Sequence, residues 1–178
     1  MEHYKMRIAV VGLTAALSLS PVILAQDAAP DSDKTFVMQA DEGNSAEIAA
    51  SQMALKKSRN PEIKSYAQQM ITDHNKLRAD MTPIATQLGV TAPQPLNEEH
   101  KAEAKRLASL SGKDFDMEFV KAMDMDHHKT LTMFKSKADS TQNADLKTAL
   151  TGAIPVVQQH AEMADQMAQK MNIPVASM

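Results

Sequence analysis

The chain has 178 residues, with 19 Lys and Arg against 22 Asp and Glu, for a formal net charge of −3. That length allows one domain plus a processed segment, and the lack of a basic excess excludes an electrostatic footprint for nucleic acid. There are no cysteines, so disulfides, iron–sulfur clusters, thiolate zinc sites, thiol catalysis and a lipoprotein anchor are excluded. Aromatic residues make up 3% and methionine reaches 14, so a core must be built from Ala, Leu and Met, which suits close-packed helices better than a sheet.

The first 25 residues read as a secretory signal peptide. Lys5 and Arg7 precede an apolar run from Ile8 to Ala25, and Pro21 and the short apolar length argue against a retained anchor. Cleavage after Ile23-Leu24-Ala25 leaves 17 basic and 21 acidic residues. No later stretch is apolar enough to span a bilayer, so a periplasmic or secreted protein is expected. Residues 26–34, rich in Ala, Asp, Pro and Ser, read as a tether. Residues 35–172 read as the folded domain and 173–178 as a tail.

The first predicted helix runs from about residue 35 to 58, with a break expected near Gly43. Asn60-Pro61-Glu62 then supplies an N-cap, a proline at the first helical position and an acid in the first turn. The second helix continues to Leu88 on the stripe Ile63, Tyr66, Ala67, Met70, Ile71, Leu77, Met81, Ile84, Ala85 and Leu88. Pro83 is expected to kink it and Gly89 to end it. Residues 90–112 form a long connection holding a short helix from about residue 98 to 110.

A further long helix spans about 113 to 138, with Phe115, Phe119, Val120, Met123, Leu131, Phe134 and Ala138 on one stripe. The last runs from about 144 to 171, with Leu146, Leu150, Ala153, Val157, Ala164, Met167, Ala168 and Met171 inward and Pro155 bending it. Its start, Asn143-Ala144-Asp145-Leu146-Lys147-Thr148, parallels Asn60-Pro61-Glu62-Ile63-Lys64-Ser65, a weak sign of a duplicated hairpin. Two tight turns and one link of more than 20 residues predict an all-α fold, a ferritin-like four-helix bundle of two antiparallel hairpins joined by a long crossover with a short extra helix. The alternative is a simple up-down bundle with a loose middle loop.

One polar residue interrupts each apolar stripe. His74 falls between Met70 and Leu77, His127 between Met123 and Leu131, and His160 between Val157 and Ala164. Glu47 shares a face with Val37, Ala40, Ala54 and Leu55. Glu47 and His74 lie ~20 Å and ~21 Å from their shared turn, and His127 and His160 ~22 Å and ~27 Å from theirs, at ~1.5 Å of rise per residue. All four should therefore meet near the middle of the bundle, with Asp124, one turn before His127, able to join them.

Three neutral imidazoles and a carboxylate suit Zn²⁺, Fe²⁺ or Cu²⁺. Burying such a cluster unpaired would cost several kcal/mol, on the order of the penalty for any buried polar group. The alternative is a metal-free buried network of His, Glu and Asp with trapped water. On that reading the protein is an envelope component acting through its surface, as a homodimer or with a protein partner. No Ser-His-Asp or phosphate-loop pattern occurs, and no general base or nucleophile stands out, so an enzyme ranks third. The row Met163, Met167 and Met171 reads as core packing rather than a soft copper site. His128, about 100° round the helix from His127, is expected to be exposed. His100 and the charges Lys56, Lys57, Arg59, Lys101, Lys105 and Arg106 are expected to be solvated.

Several of these pieces together resemble the exported ferritin-like family known as domain of unknown function 4142. They are Phe36-Val37, Ala46-Glu47-Ile48 and Ala54-Leu55, then Ala67-Gln68-Gln69-Met70 and Asp73-His74. Leu107, Leu110-Ser111-Gly112, Phe115-Asp116, His127, Pro155 and His160 complete the pattern, from about residue 36 to 171. The resemblance implies a four-helix ferritin-like fold and export, and it implies no activity. Ferritin-like di-iron enzymes carry a Glu on two helices and Glu-x-x-His on the other two. Here Asp124-Met125-Asp126-His127 gives only an Asp-x-x-His, and Val156 and Val157 precede His160, so a mononuclear site fits better than a di-iron one.

Overall fold

The computed structural model describes residues 30–174. The expected signal peptide and most of the expected tail lie outside the described residues. Five helices follow in order: α1 (Pro30–Lys57), α2 (Pro61–Gln87), α3 (Glu98–Ser109), α4 (Gly112–Ser140) and α5 (Ala144–Met171). No strand occurs among the described residues. None of the helices is long and apolar enough to cross a membrane.

Local chemistry sets the helix ends. The Asn60 side chain accepts from the Glu62 N–H at 2.9 Å, and Pro61 opens α2 without an orphaned donor. Asn143 accepts from the N–H groups of Asp145 and Leu146 to start α5, and Asn97 from that of His100 to start α3. Gly89, at φ +64°, turns the chain out of α2 while the Val90 N–H returns to the Ala85 carbonyl at 2.8 Å.

Helix α1 packs along α2, and α4 along α5; α2 also meets α5, and α1 meets α4, closing a ring of four long helices. Only residues 58–60 separate α1 from α2, and only 141–143 separate α4 from α5, so each pair runs antiparallel. Two apolar clusters fill the ring. One holds Ala50, Ala54, Tyr66, Met70, Phe119, Met123, Ala164 and Met167 among others. The other holds Val37, Ile84, Leu131, Phe134, Leu146, Leu150 and Val157. Every long helix passes from one cluster to the other, and α2 and α4 both give their N-terminal halves to the first. They therefore run the same way, with the long crossover between them.

Three local expectations are corrected. The stretch expected to be a tether is helical from Pro30, because buried Asp33 accepts from Thr141 Oγ1 at 2.8 Å and Lys137 Nζ at 3.1 Å at the end of α4. A polar anchor leaves no apolar period to read. Helix α1 does not break at Gly43, whose missing Cβ faces open space. The glycine costs about 1 kcal/mol, which the contacts of α1 with α2, α3 and α4 offset. Lys57 is no ordinary surface lysine. Its ammonium donates to the carbonyls of Leu107, Ala108 and Leu110 at the C-terminus of α3 and lies 5.6 Å from the Phe115 ring centroid.

The crossover is fastened to α1 by two adjacent acids. Asp41 accepts from the Gln94 N–H at 2.6 Å and from Arg78 Nε at 3.1 Å. Glu42 accepts from the Asn97 N–H and Nδ2, both at 2.9 Å, and pairs with His100 Nδ1 at 2.6 Å. His100 is therefore a half-buried clasp and not a solvated residue.

Candidate metal centre

Between the two apolar clusters lies one polar layer. Each long helix contributes a single residue to it: Glu47 from α1, His74 from α2, His127 from α4 and His160 from α5. The side chains of His127 and His160 are fully buried, and those of His74 and Glu47 nearly so. The three imidazole rings form a near-equilateral triangle, with centroids 5.7 Å (His74–His127), 5.2 Å (His74–His160) and 5.4 Å (His127–His160) apart. Helical register explains this: each histidine sits on the stripe that faces the ring's centre, at the level where its helix changes cluster.

Each ring uses one nitrogen outward. His127 Nδ1 lies 2.8 Å from the Met123 carbonyl, which can only accept, so that nitrogen carries the proton. His160 Nε2 lies 2.9 Å from Asp73 Oδ2 and His74 Nδ1 2.8 Å from Asn44 Oδ1, fixing both tautomers in the same way. The other nitrogens, His74 Nε2, His127 Nε2 and His160 Nδ1, are buried and have no hydrogen-bond partner. The three residues can offer nitrogens that all lie within 4.8 Å of one another. An ion bound at 2.0–2.1 Å needs nitrogens about 3.3 Å apart, a contraction that small ring movements supply.

Burial works against charge in this layer. Burial lowers His127 to about 3, reinforced by His160 and opposed by its bond to Met123. Burial lowers His74 well below the usual range, with His127, His160 and Arg78 adding to it. Burial also lowers His160, against the pull of Asp73. Glu47 is pushed well above the carboxylate range, first by burial and then by Asp126 and Glu103. Burial thus disfavours the charged form of all three imidazoles and of the acid beside them.

The predicted residues do not all take the same part. His74, His127 and His160 converge. Glu47 lies behind two of them, with Oε2 3.2 Å from His74 Nδ1 and Oε1 3.8 Å from His127 Nδ1, the proton-bearing side of both rings. Asp124 is fully buried, but it stands with His128 and Asp165, 3.6 Å from His128 Nε2, and not among the three nitrogens. One turn of α4 carries its carboxylate to the α5 seam. His128 is half-buried there, because Asp165 meets its Nε2 at 2.9 Å, so the expectation of an exposed ring fails. Asn44 and Asp73, which orient two of the rings, carry no sign in the sequence beyond proximity: Asp73 precedes His74, and Asn44 lies one turn before Glu47.

The family described as Domain of unknown function (DUF4142) matches residues 20–167. The chain belongs to this family. No protein of curated function matches this DUF4142 chain. Among solved structures it is similar to a DUF305 fragment from Deinococcus radiodurans, with a TM-score of 0.68 and 14% identity over 78% of this chain and 95% of that one. A DUF305 protein from Streptomyces coelicolor matches at 0.66 and 13%, over 84% and 98%. CopM in its silver-bound form matches at 0.63 and 21%, over 78% and 96%. At these identities the likeness is one of helical fold.

Proposed function

We propose that this DUF4142 chain is an exported ferritin-like four-helix bundle that holds one transition-metal ion in its core, for metal buffering or protection of the envelope under stress. The observation that carries the reading is the set of three buried imidazole nitrogens with no partner, each made available because the other nitrogen of its ring is held by Asn44, Met123 or Asp73. Metal-binding histidines characteristically use their second nitrogen in this way, and the outer partner fixes tautomer and orientation. Leaving three such atoms unpaired costs roughly 1–3 kcal/mol each, which bound metal would offset. An all-nitrogen donor set suits Zn²⁺, Cu⁺ or Ag⁺ better than a ferroxidase iron pair, which needs bridging carboxylates. The silver in the CopM structure is consistent with a soft ion in such a fold. The amino-terminal segment supports export, with residues 1–25 as the cleaved signal.

Elemental analysis of the untagged protein purified from the periplasm tests the reading. At least one equivalent of a transition metal is expected in wild type, with one equivalent fewer in His160→Ala. No metal in the isolated protein, and none taken up from zinc, copper or silver solutions, would make the layer a polar network and refute the reading.

A further inference from the structure

Helix α4 carries two consecutive histidines, and the molecule uses them in opposite directions. His127 points into the core triad. His128, about 100° further round the helix, points to the seam with α5. There it meets a separate donor set. Its Nε2 lies 2.9 Å from Asp165 Oδ1 and 3.6 Å from Asp124 Oδ1. One ligand atom from each of the three residues lies within 4.8 Å of the others. None of the three belongs to the triad.

From this geometry we propose that Asp124, His128 and Asp165 form a second cation site, for a divalent ion harder than the core triad would take. Asp124 and His128 are one turn apart on the same face of α4, and Asp165 faces them from α5, so the packing of α4 against α5 presets the cluster. Asp124 is fully buried. His128 Nδ1 has no hydrogen-bond partner, so the ring is oriented by the two acids alone. The side chains of His128 and Asp165 retain 13% and 27% of their exposure, which gives a hydrated ion a way in and room to keep water ligands. Two carboxylate oxygens and one imidazole suit Mn²⁺, Fe²⁺, Co²⁺ or Zn²⁺ and disfavour Ag⁺ and Cu⁺. The site stands whether or not the triad binds metal.

Zinc alone, titrated by calorimetry into untagged protein stripped of metal, separates the two sites. The proteins are wild type, Asp165→Asn and His74→Gln, each checked for a cooperative melt. Two equivalents in wild type and one in each variant are expected. One equivalent in wild type, lost at least tenfold in affinity in Asp165→Asn and kept in His74→Gln, would uphold the second site and remove zinc from the ions the triad takes. The converse, with zinc lost only in His74→Gln, would refute the second site and leave the triad standing. No zinc in any of the three would refute the second site. If Asp165→Asn does not melt cooperatively, His128→Gln takes its place, and zinc binding there equal to wild type overturns the proposal.

Discussion

Replacing His127 with Leu should change how stability depends on pH, and the size of the change follows from its burial. In the folded, metal-free chain its imidazole is lowered to about 3. In the unfolded chain it titrates at about 6.5. Because the folded value is the lower, the unfolded state takes up a proton that the folded state refuses. The stability it contributes is therefore present above about 6.5 and lost as pH falls towards 3. Between pH 7.5 and 5 this one residue should cost about 2 kcal/mol, from 1.36 kcal/mol per unit over the titrating range. His74 and His160, also lowered, act in the same direction. Glu47, raised well above its usual range, and Glu103, raised to about 7, act against them, because a raised carboxyl stabilises the fold at low pH and loses that contribution as pH rises. Total stability thus mixes opposing slopes, and the difference between wild type and His127→Leu isolates one. Urea melts in chelator at pH 7.5, 6.5, 5.5 and 5 should show wild type losing about 2 kcal/mol relative to the variant. A difference constant to about 0.5 kcal/mol across that range would refute the buried, neutral imidazole on which the metal centre rests.

Saturating the triad with silver at 100 times its dissociation constant should stabilise the fold by about 2.7 kcal/mol and raise Tm by roughly 5–10 °C, an effect absent from His160→Ala in the same thermal melts. Glu42→Ala should unfasten the crossover from α1, since it removes the acceptor for the Asn97 N–H, Asn97 Nδ2 and His100. Limited proteolysis should then cut within residues 88–111 faster than in wild type, with a stability loss of roughly 1–3 kcal/mol. Asn143→Ala should cost about 1 kcal/mol in denaturant melts, because two N–H groups at the start of α5 lose their cap.

How much was legible follows from which forces are local. The boundaries of α2 and α5 could be read because Asn60, Pro61, Gly89 and Asn143 act within a few residues of themselves. The polar layer could be read because His74, His127 and His160 each break an apolar stripe, and helical rise converts sequence number into depth. What escaped was set by contacts distant in sequence. Asp33 helps anchor the start of α1 through Lys137 and Thr141. Lys57 caps α3 from 50 or more positions away. The partition of Asp124 away from the triad depends on the rotation of α4 against α5, which no spacing within α4 fixes. Asp165 was overlooked for the same reason: on α5 alone it is one more half-exposed acid.

The charge of the core layer narrows what it can hold. Burial disfavours the charged form of the three imidazoles and of Glu47. A monovalent ion adds one charge to a closed apolar interior, whereas a divalent ion adds two, and the cost of burying an ion rises with the square of its charge. Glu47 offers the compensation. Its oxygens stand against the proton-bearing nitrogens of His74 and His127, so its ionisation would act through both rings, strengthening them as donors without the carboxylate entering the coordination sphere. On the proposed reading, a soft monovalent ion would need no compensating charge, whereas a divalent ion would call for Glu47 to ionise, so this acid, lying behind the three rings, would bias the layer between the two.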